Sequence, residues 1–185
     1  MAGFARCAPA LRERTEVDAI WEHVLDGTTD LVCSDHCPYT VESKQAGSGD
    51  IFQAPLGLSG VQTLFPGFFS EAVVKRGLPV ERFVSLIAAN PARIFGLYPR
   101  KGTLAIWADA DIALLDPNAT WTVTVADALH KQKWTPYEGK EITGRIVRTI
   151  RRGETIFDDT RQGDDRITAR PGSGRFLRRG YGETT

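Results

Sequence analysis

The segment DLVCSDHCPYT, residues 30–40, decides the fold class because it follows a helical pattern with a strand pattern. Residues 31–34, LVCS, are mostly apolar without alternation, which is typical of a buried parallel strand. The preceding stretch TEVDAIWEHVLDG, residues 15–27, repeats apolar residues at helical spacing, with Thr15 as the expected N-cap and Gly27 as the expected stop. A helix, a short loop and a strand together predict an α/β unit.

The chemistry of this motif is open at first, because Asp35 and His36 stand between the thiols of Cys33 and Cys37. A structural zinc site needs four ligands, normally in two close pairs. The remaining thiol and imidazoles of the chain belong to Cys7, His23 and His130. None of them offers a second pair at suitable spacing, so the pattern disfavours a zinc site. It also disfavours a Cys–His nucleophile, and we interpret both cysteines as small apolar fillers near the strand end.

Asp35 is the stronger candidate for chemistry. It falls at the carboxyl end of the predicted strand and is followed by a Gly- and Ser-rich stretch, residues 39–60, that is typical of a long binding loop. Barrels and open α/β sheets place their active sites at such strand ends. An aspartate that merely caps a helix or stabilises a turn fits the same position. The residues alone leave these two interpretations equal.

Composition restricts the class of protein. The 185 residues contain 23 basic and 23 acidic side chains, and a net charge of zero argues against a nucleic-acid partner. The longest apolar runs fall well short of the roughly 20 residues that cross a bilayer, so we expect no membrane partner. The first residues lack a signal-peptide pattern and cysteines are few, which together predict a cytoplasmic protein.

The middle of the chain is predicted to be helical. VQTLFPGFFSEAVVKRG, residues 61–77, has helical periodicity, although Pro66 is expected to start or kink that helix. PVERFVSLIAAN, residues 79–90, predicts another helix, after which Asn90 is expected to cap a short one.

Short β-branched segments follow Lys101, with RRGE as the expected hairpin turn. The predicted organisation is an α/β segment at 1–100, β-strands at 101–160 and a polar, Arg-rich tail at 161–185 that forms a solvated arm or lies on a neighbouring subunit.

Several stretches in the same order resemble the cyclic amidohydrolases, the hydantoinases, dihydropyrimidinases and allantoinases. They are VCSDHCPYT, APLGLSGVQTLFP, ERFVSLIAANPARIFGLYPRKGTLA, HKQKWTPYEGKEITGRI and RPGSGRFLRRG. CAPALR and KQKWTPYEG favour the allantoinase or L-hydantoinase side. The resemblance implies an α/β fold, the C-terminal portion of a metal-dependent (β/α)8 barrel followed by part of a small β-sandwich.

The resemblance also implies roles for particular residues. Asp35 matches an aspartate that binds a metal and acts as general base, and His36 would support it without binding the metal. Backbone groups at Ala8 and Leu56 would hold the imide edge of the substrate, at positions where hydantoinases more often have serine and asparagine. Trp107 stands where the family usually has a turn glycine, so a turn that requires positive φ would carry a bulky side chain there.

The implied cofactor is a pair of divalent metal ions, zinc first, with manganese or cobalt as alternatives. The implied partners are a small cyclic amide as substrate and further copies of the subunit in a tetramer. The family's other metal ligands, a His-x-His pair, a lysine and further histidines, have no match in these 185 residues. We therefore expect a C-terminal fragment that is inactive alone but carries one catalytic residue of a hydrolase; the alternative is a non-catalytic scaffold or assembly module.

Overall fold

The computed structural model describes residues 2–178. The first long helix, α1, spans Arg14–Asp26 and ends at Gly27, whose left-handed backbone (φ 96°) confirms the predicted stop. Glu13, not Thr15, occupies the N-cap position. Val24 is buried, whereas Ile20 is exposed, so only part of the predicted apolar face of α1 is covered.

The predicted long loop at 39–60 is folded into short helices, which corrects that interpretation. Helix α2 spans Val41–Gln45 and is followed by 3-10 turns at Ala46–Ser48 and Ile51–Gln53. The Thr40 hydroxyl caps α2 by accepting a hydrogen bond from the Ser43 amide at 3.2 Å. This N-cap stabilises α2, although the Gly and Ser content of the segment is typical of a loop.

A helical layer follows, made of α3 (Val61–Phe69), α4 (Val80–Val84) and α5 (Asn90–Ile94), with π-helical turns at Ser70–Val74 and Ser85–Ala89. Pro66 lies inside α3 and is buried there, so it does not start the helix; the alternative expectation, a kink, remains a prediction. A proline inside a helix lacks the N–H that would bond to the carbonyl four residues earlier. Asn90 is also inside a continuous helical stretch, because the π-helical turn Ser85–Ala89 runs directly into α5. Its side-chain amide donates to the Asp30 carbonyl at 2.8 Å instead of capping a helix.

The hydrophobic core lies between α1 and this layer, and Phe83 is at its centre with 2% of its surface exposed. The buried members of the core are Val24, Phe69, Ala72, Leu78, Phe83 and Leu86. The Phe83 ring meets the rings of Phe65, Phe68 and Phe69 at centroid distances of 5.2, 5.4 and 5.5 Å. Such pairs add to the stabilisation that burial alone provides.

The strands form one three-stranded antiparallel sheet in the order β1 (Ile112–Thr122), β2 (Glu141–Arg151), β3 (Glu154–Asp158). Positive φ at Arg152 (50°) and Gly153 (79°) gives a two-residue turn, which confirms the predicted hairpin.

The sheet packs directly on α3. A Cβ at Gly144, where φ is 105°, would lie 2.6 Å from a carbon of the Phe69 ring, so glycine allows this close approach. The boundary predicted near Lys101 remains a prediction. Trp107 has φ 76° and is 95% exposed, as expected for a bulky residue in a turn that favours glycine.

The predicted tail is not entirely a free arm. Ile167 pairs with Phe157, and the guanidinium groups of Arg151 and Arg152 bind the Ser173 hydroxyl and carbonyl at 2.7 and 2.9 Å. Residues 167–173 therefore lie against the β2–β3 hairpin, while 179–185 are outside the described part of the chain. Within residues 2–178, no helix is long and apolar enough to cross a membrane.

Candidate active site

Asp35 is exposed and adopts a left-handed backbone conformation with φ 43°. Aspartate tolerates this conformation better than most residues, and strained backbone often accompanies functional sites. The preceding residues 31–34 do not form the predicted strand. Their link to the rest is the Val32 amide donating to Leu86 O at 3.0 Å. A strand exists only through its hydrogen-bonded neighbours, and within residues 2–178 those neighbours are too few to make a ladder here.

His36 anchors the motif to the start of α3. Its Nδ1 accepts hydrogen bonds from the amides of Gly60 (3.0 Å) and Val61 (3.2 Å), so the ring proton is on Nε2. His36 also forms a parallel bridge with Leu58. The side chain next to Asp35 is therefore fixed by backbone groups.

The cysteines of the motif are not fillers, because Cys33 and Cys37 are both exposed. A hydrogen bond with Cys37 raises the pKa of the Tyr39 hydroxyl. The backbone of Cys37 packs against Gly57 so closely that a Cβ on Gly57 would lie 2.4 Å from Cys37 O. Gly57, with φ 151°, thereby brings the segment around Leu56 beside the Asp35 motif.

The structure also brings together the segments that carry Ala8 and Leu56. The Gly57 amide donates to Arg6 O at 3.2 Å, which joins the two segments directly. Ala8 and Leu56 are both exposed. Their neighbours Arg6 and Gly57 are thus in contact across 51 positions of sequence. The role of Ala8 and Leu56 in binding substrate stays a prediction.

Lys44 is the residue of this region that the sequence did not reveal. Its surface is 0% exposed, and its Nζ donates to Arg6 O at 2.7 Å and Pro55 O at 2.9 Å. Burial lowers the pKa of its ammonium group. The lysine lies in a polar helical turn, so no local pattern distinguishes it from a solvated lysine.

The segment 124–135 lies over the motif and is held by long-range hydrogen bonds. The Trp134 indole donates to Tyr39 O at 2.6 Å, and the Ser59 hydroxyl donates to Trp134 O at 3.2 Å. The side-chain amide of Gln62 both donates to Asp127 O (2.8 Å) and accepts from the Leu129 amide (2.9 Å).

These contacts place His130 beside His36, with ring centroids 6.1 Å apart. Nδ1 of His130 is buried and finds no hydrogen-bond partner within residues 2–178. Burial lowers the pKa of His130. His23, in contrast, is exposed on α1 with Asp26 3.6 Å away.

The described residues do not by themselves make a metal site. Among residues 2–178 there is no group of three or more His, Cys, Asp or Glu side chains that could hold a metal ion. Asp35 offers a single exposed carboxylate, whereas a divalent cation needs several ligands to replace its water. A metal at Asp35 would therefore need ligands from elsewhere.

Comparison with known proteins agrees with the family that the motifs resemble. The sequence model of the amidohydrolase family matches residues 2–167. A D-phenylhydantoinase of Escherichia coli O1:K1 is 39% identical over 173 residues, which are 93% of this chain and 36% of that protein. An allantoinase of Rubrobacter xylanophilus is 42% identical over 174 residues, 94% of this chain and 36% of that protein.

The fold agrees as well. The solved structure of a D-hydantoinase (dihydropyrimidinase) from Thermus sp. superposes with a TM-score of 0.88 at 29% identity, covering 96% of this chain and 38% of that one. The chain thus spans little more than a third of the length of the relatives it matches. The predicted fold class, a portion of a (β/α)8 barrel with a small antiparallel sheet, is confirmed. The chain belongs to the amidohydrolase family.

Proposed function

We propose that the chain is part of a metal-dependent hydrolase that opens cyclic amides such as allantoin, hydantoin or dihydropyrimidines. Relatives named as a hydantoinase and an allantoinase support this reaction class. The observation that carries the proposal is the exposed carboxylate of Asp35, in a left-handed conformation next to an anchored His36. The segments of Ala8 and Leu56, which would contact the ring, meet beside it.

In this proposal Asp35 binds a divalent metal together with ligands from outside the described residues, and it serves as general base. When bound, zinc, manganese or cobalt would polarise the amide carbonyl and acidify water. Asp35 accepts the proton of the attacking water while the oxygen of that water bonds to the carbonyl carbon of the substrate. Asp35 then returns the proton to the ring nitrogen as the C–N bond breaks. His36 keeps the carboxylate in place through its bonds to α3.

We further propose that residues 1–185 alone turn over no substrate, because Asp35 is one ligand of several that the metals require. The complete enzyme is here the natural polypeptide or complex that contains this chain and supplies the other ligands. We propose a tetramer for the complete enzyme, as the family resemblance implies, and a cytoplasmic location, as the first residues and the few cysteines predict.

The test measures metal content and hydrolysis of allantoin, hydantoin and dihydrouracil by the complete enzyme and by residues 1–185. Asp35→Ala in the complete enzyme should lower kcat by roughly a thousandfold or more, because general-base catalysis alone contributes about 10²–10⁴-fold. Asp30→Ala is the matched control, since Asp30 is an exposed carboxylate five positions earlier and, among residues 2–178, only its backbone carbonyl is hydrogen-bonded.

The control should keep activity within about twofold, as an exposed side chain without partners contributes little. If Asp35→Ala retained near-normal turnover, Asp35 would not be the general base. Enzyme-like turnover by residues 1–185 would show that no further ligands are needed.

A further inference from the structure

We propose that Lys44 is a positioning residue for the substrate: its buried ammonium fixes the two backbone segments that would hold the imide edge of the ring. This inference rests on the proposed function for the identity of the substrate. The tether itself rests on the contacts of Lys44.

The burial of Lys44 is unusual in itself. The residue is 0% exposed, and the hydrogen-bond acceptors of its Nζ are the backbone carbonyls of Arg6 and Pro55. Removing an ammonium from water is expensive, and a well-packed apolar side chain in such a place is often at least as stabilising. The charge is therefore better explained by the geometry that it imposes than by stability.

The positions of the acceptors define that geometry. Pro55 directly precedes Leu56, and Arg6 lies two residues before Ala8. Arg6 O also accepts from the Gly57 amide at 3.2 Å, so one carbonyl binds both the lysine and the neighbouring segment. The Arg6 guanidinium donates to the carbonyls of Phe52 and Ala54 and ties the same segments from the other side.

Lys44 is also connected to the Asp35 motif. The Trp134 ring lies 5.9 Å from the lysine Nζ, and the Trp134 indole donates to Tyr39 O at 2.6 Å. Lys44 itself belongs to α2, which begins directly after the motif. The segments expected to bind the ring and the segment that carries Asp35 therefore meet around one buried side chain.

An imide edge presents carbonyl oxygens and an N–H at fixed spacing, so it needs a donor and an acceptor held at a matching separation. Loss of the Lys44 tether would let Ala8 and Leu56 separate without touching Asp35. Binding that is equal in the ground state and the transition state affects KM and leaves kcat unchanged. Lys44→Met in the complete enzyme should therefore raise KM roughly tenfold, which corresponds to about 1.4 kcal/mol, with kcat within about twofold.

The matched control is Lys101→Met. Lys101 is also largely covered and bonds two partners, Asp109 (2.8 Å) and Asp111, but it lies before β1, away from these segments. Lys101→Met should leave KM unchanged. Lys44→Gln, which keeps an N–H donor, should restore part of the affinity lost in Lys44→Met, and it replaces Lys44→Met if that variant does not fold.

A second measurement needs no activity. In residues 1–185, amide hydrogen exchange at Gly57 should be roughly tenfold faster in Lys44→Met than in the parent chain, because the partner carbonyl at Arg6 is no longer fixed, and unchanged in Lys101→Met. Unchanged KM and unchanged exchange in Lys44→Met, or equal changes in Lys101→Met, would overturn the inference. If Asp35→Ala were active, the proposed role of Asp35 as general base would fail, while these two measurements would still decide the role of Lys44.

Discussion

The aromatic core and the Asp35 region are held together by different forces. Around Phe83, aromatic rings from α3 pack at centroid distances of 5.2–5.5 Å, and the contact is apolar. Around Lys44 and His36, single side chains bind backbone groups of remote segments. Burial of apolar area stabilises the core, whereas hydrogen bonds orient the segments of the site, because a hydrogen bond fixes angle as well as distance.

The comparison predicts that damage to the core lowers global stability more than damage to the site does. Phe83→Ala should reduce the free energy of unfolding by about 3–5 kcal/mol, since it removes a buried ring at the centre of the cluster. Denaturant unfolding of residues 1–185 measures this, with Phe83→Leu as the milder control at about half the loss or less. A loss below about 1 kcal/mol in Phe83→Ala would show that the aromatic cluster is not the source of stability.

Polar contacts within the core region should have an intermediate effect that depends on pH. Burial of Glu71 raises its pKa, but hydrogen bonds from Lys75, Arg76 and Lys140 outweigh this and bring the pKa to about 2. A lowered folded-state pKa stabilises the protein above the unfolded value of about 4.5, and the contribution is lost as pH falls from about 4.5 to about 2. Glu71→Gln should cost on the order of 1–3 kcal/mol at pH 7 and almost nothing at pH 2.

Asp18→Asn is the control for that experiment. The Asp18–Arg14 pair is exposed, although its atoms are 2.9 Å apart, so its loss should cost much less than the loss of the Glu71 contacts. Urea unfolding at several pH values measures both variants. A Glu71→Gln loss that did not depend on pH would mean that the carboxylate acts through packing and not through charge.

A smaller effect than that of Phe83→Ala, about 1 kcal/mol, is expected from removing one indole hydrogen bond. Trp134→Phe loses the bond to Tyr39 O (2.6 Å) at the site, and Trp121→Phe loses a bond to Gly144 O (3.1 Å) in the sheet. The midpoint temperature of thermal unfolding should fall by a similar amount in both variants. Amide hydrogen exchange should distinguish the two variants. The Cys37 amide should exchange faster than in the parent chain in Trp134→Phe and at the parent rate in Trp121→Phe. Equal exchange at Cys37 in both variants would remove the distinction between site and sheet.

Local patterns predicted the parts of the fold that local forces determine. The end of α1 at Gly27 and the RRGE turn at Arg152 and Gly153 were readable because backbone conformation there depends on a few neighbouring residues. Asn90 was misjudged, and Pro66 does not start α3, because tertiary contacts changed their local preference: Pro66 is buried inside α3, and Asn90 binds Asp30 O instead of capping. The prediction of a strand at 31–34 was wrong for a related reason, because a strand needs hydrogen-bonded neighbours that one segment cannot supply.

The sequence by itself determined the helical pattern, the hairpin, the family and Asp35 as the candidate for chemistry. Only the tertiary structure showed that Lys44 is buried between Arg6 and Pro55 and that His130 lies beside His36. The physical reason is that a hydrogen bond between segments distant in sequence depends on which segments the tertiary fold brings into contact. The periodicity of the sequence reflects local structure and does not indicate such contacts.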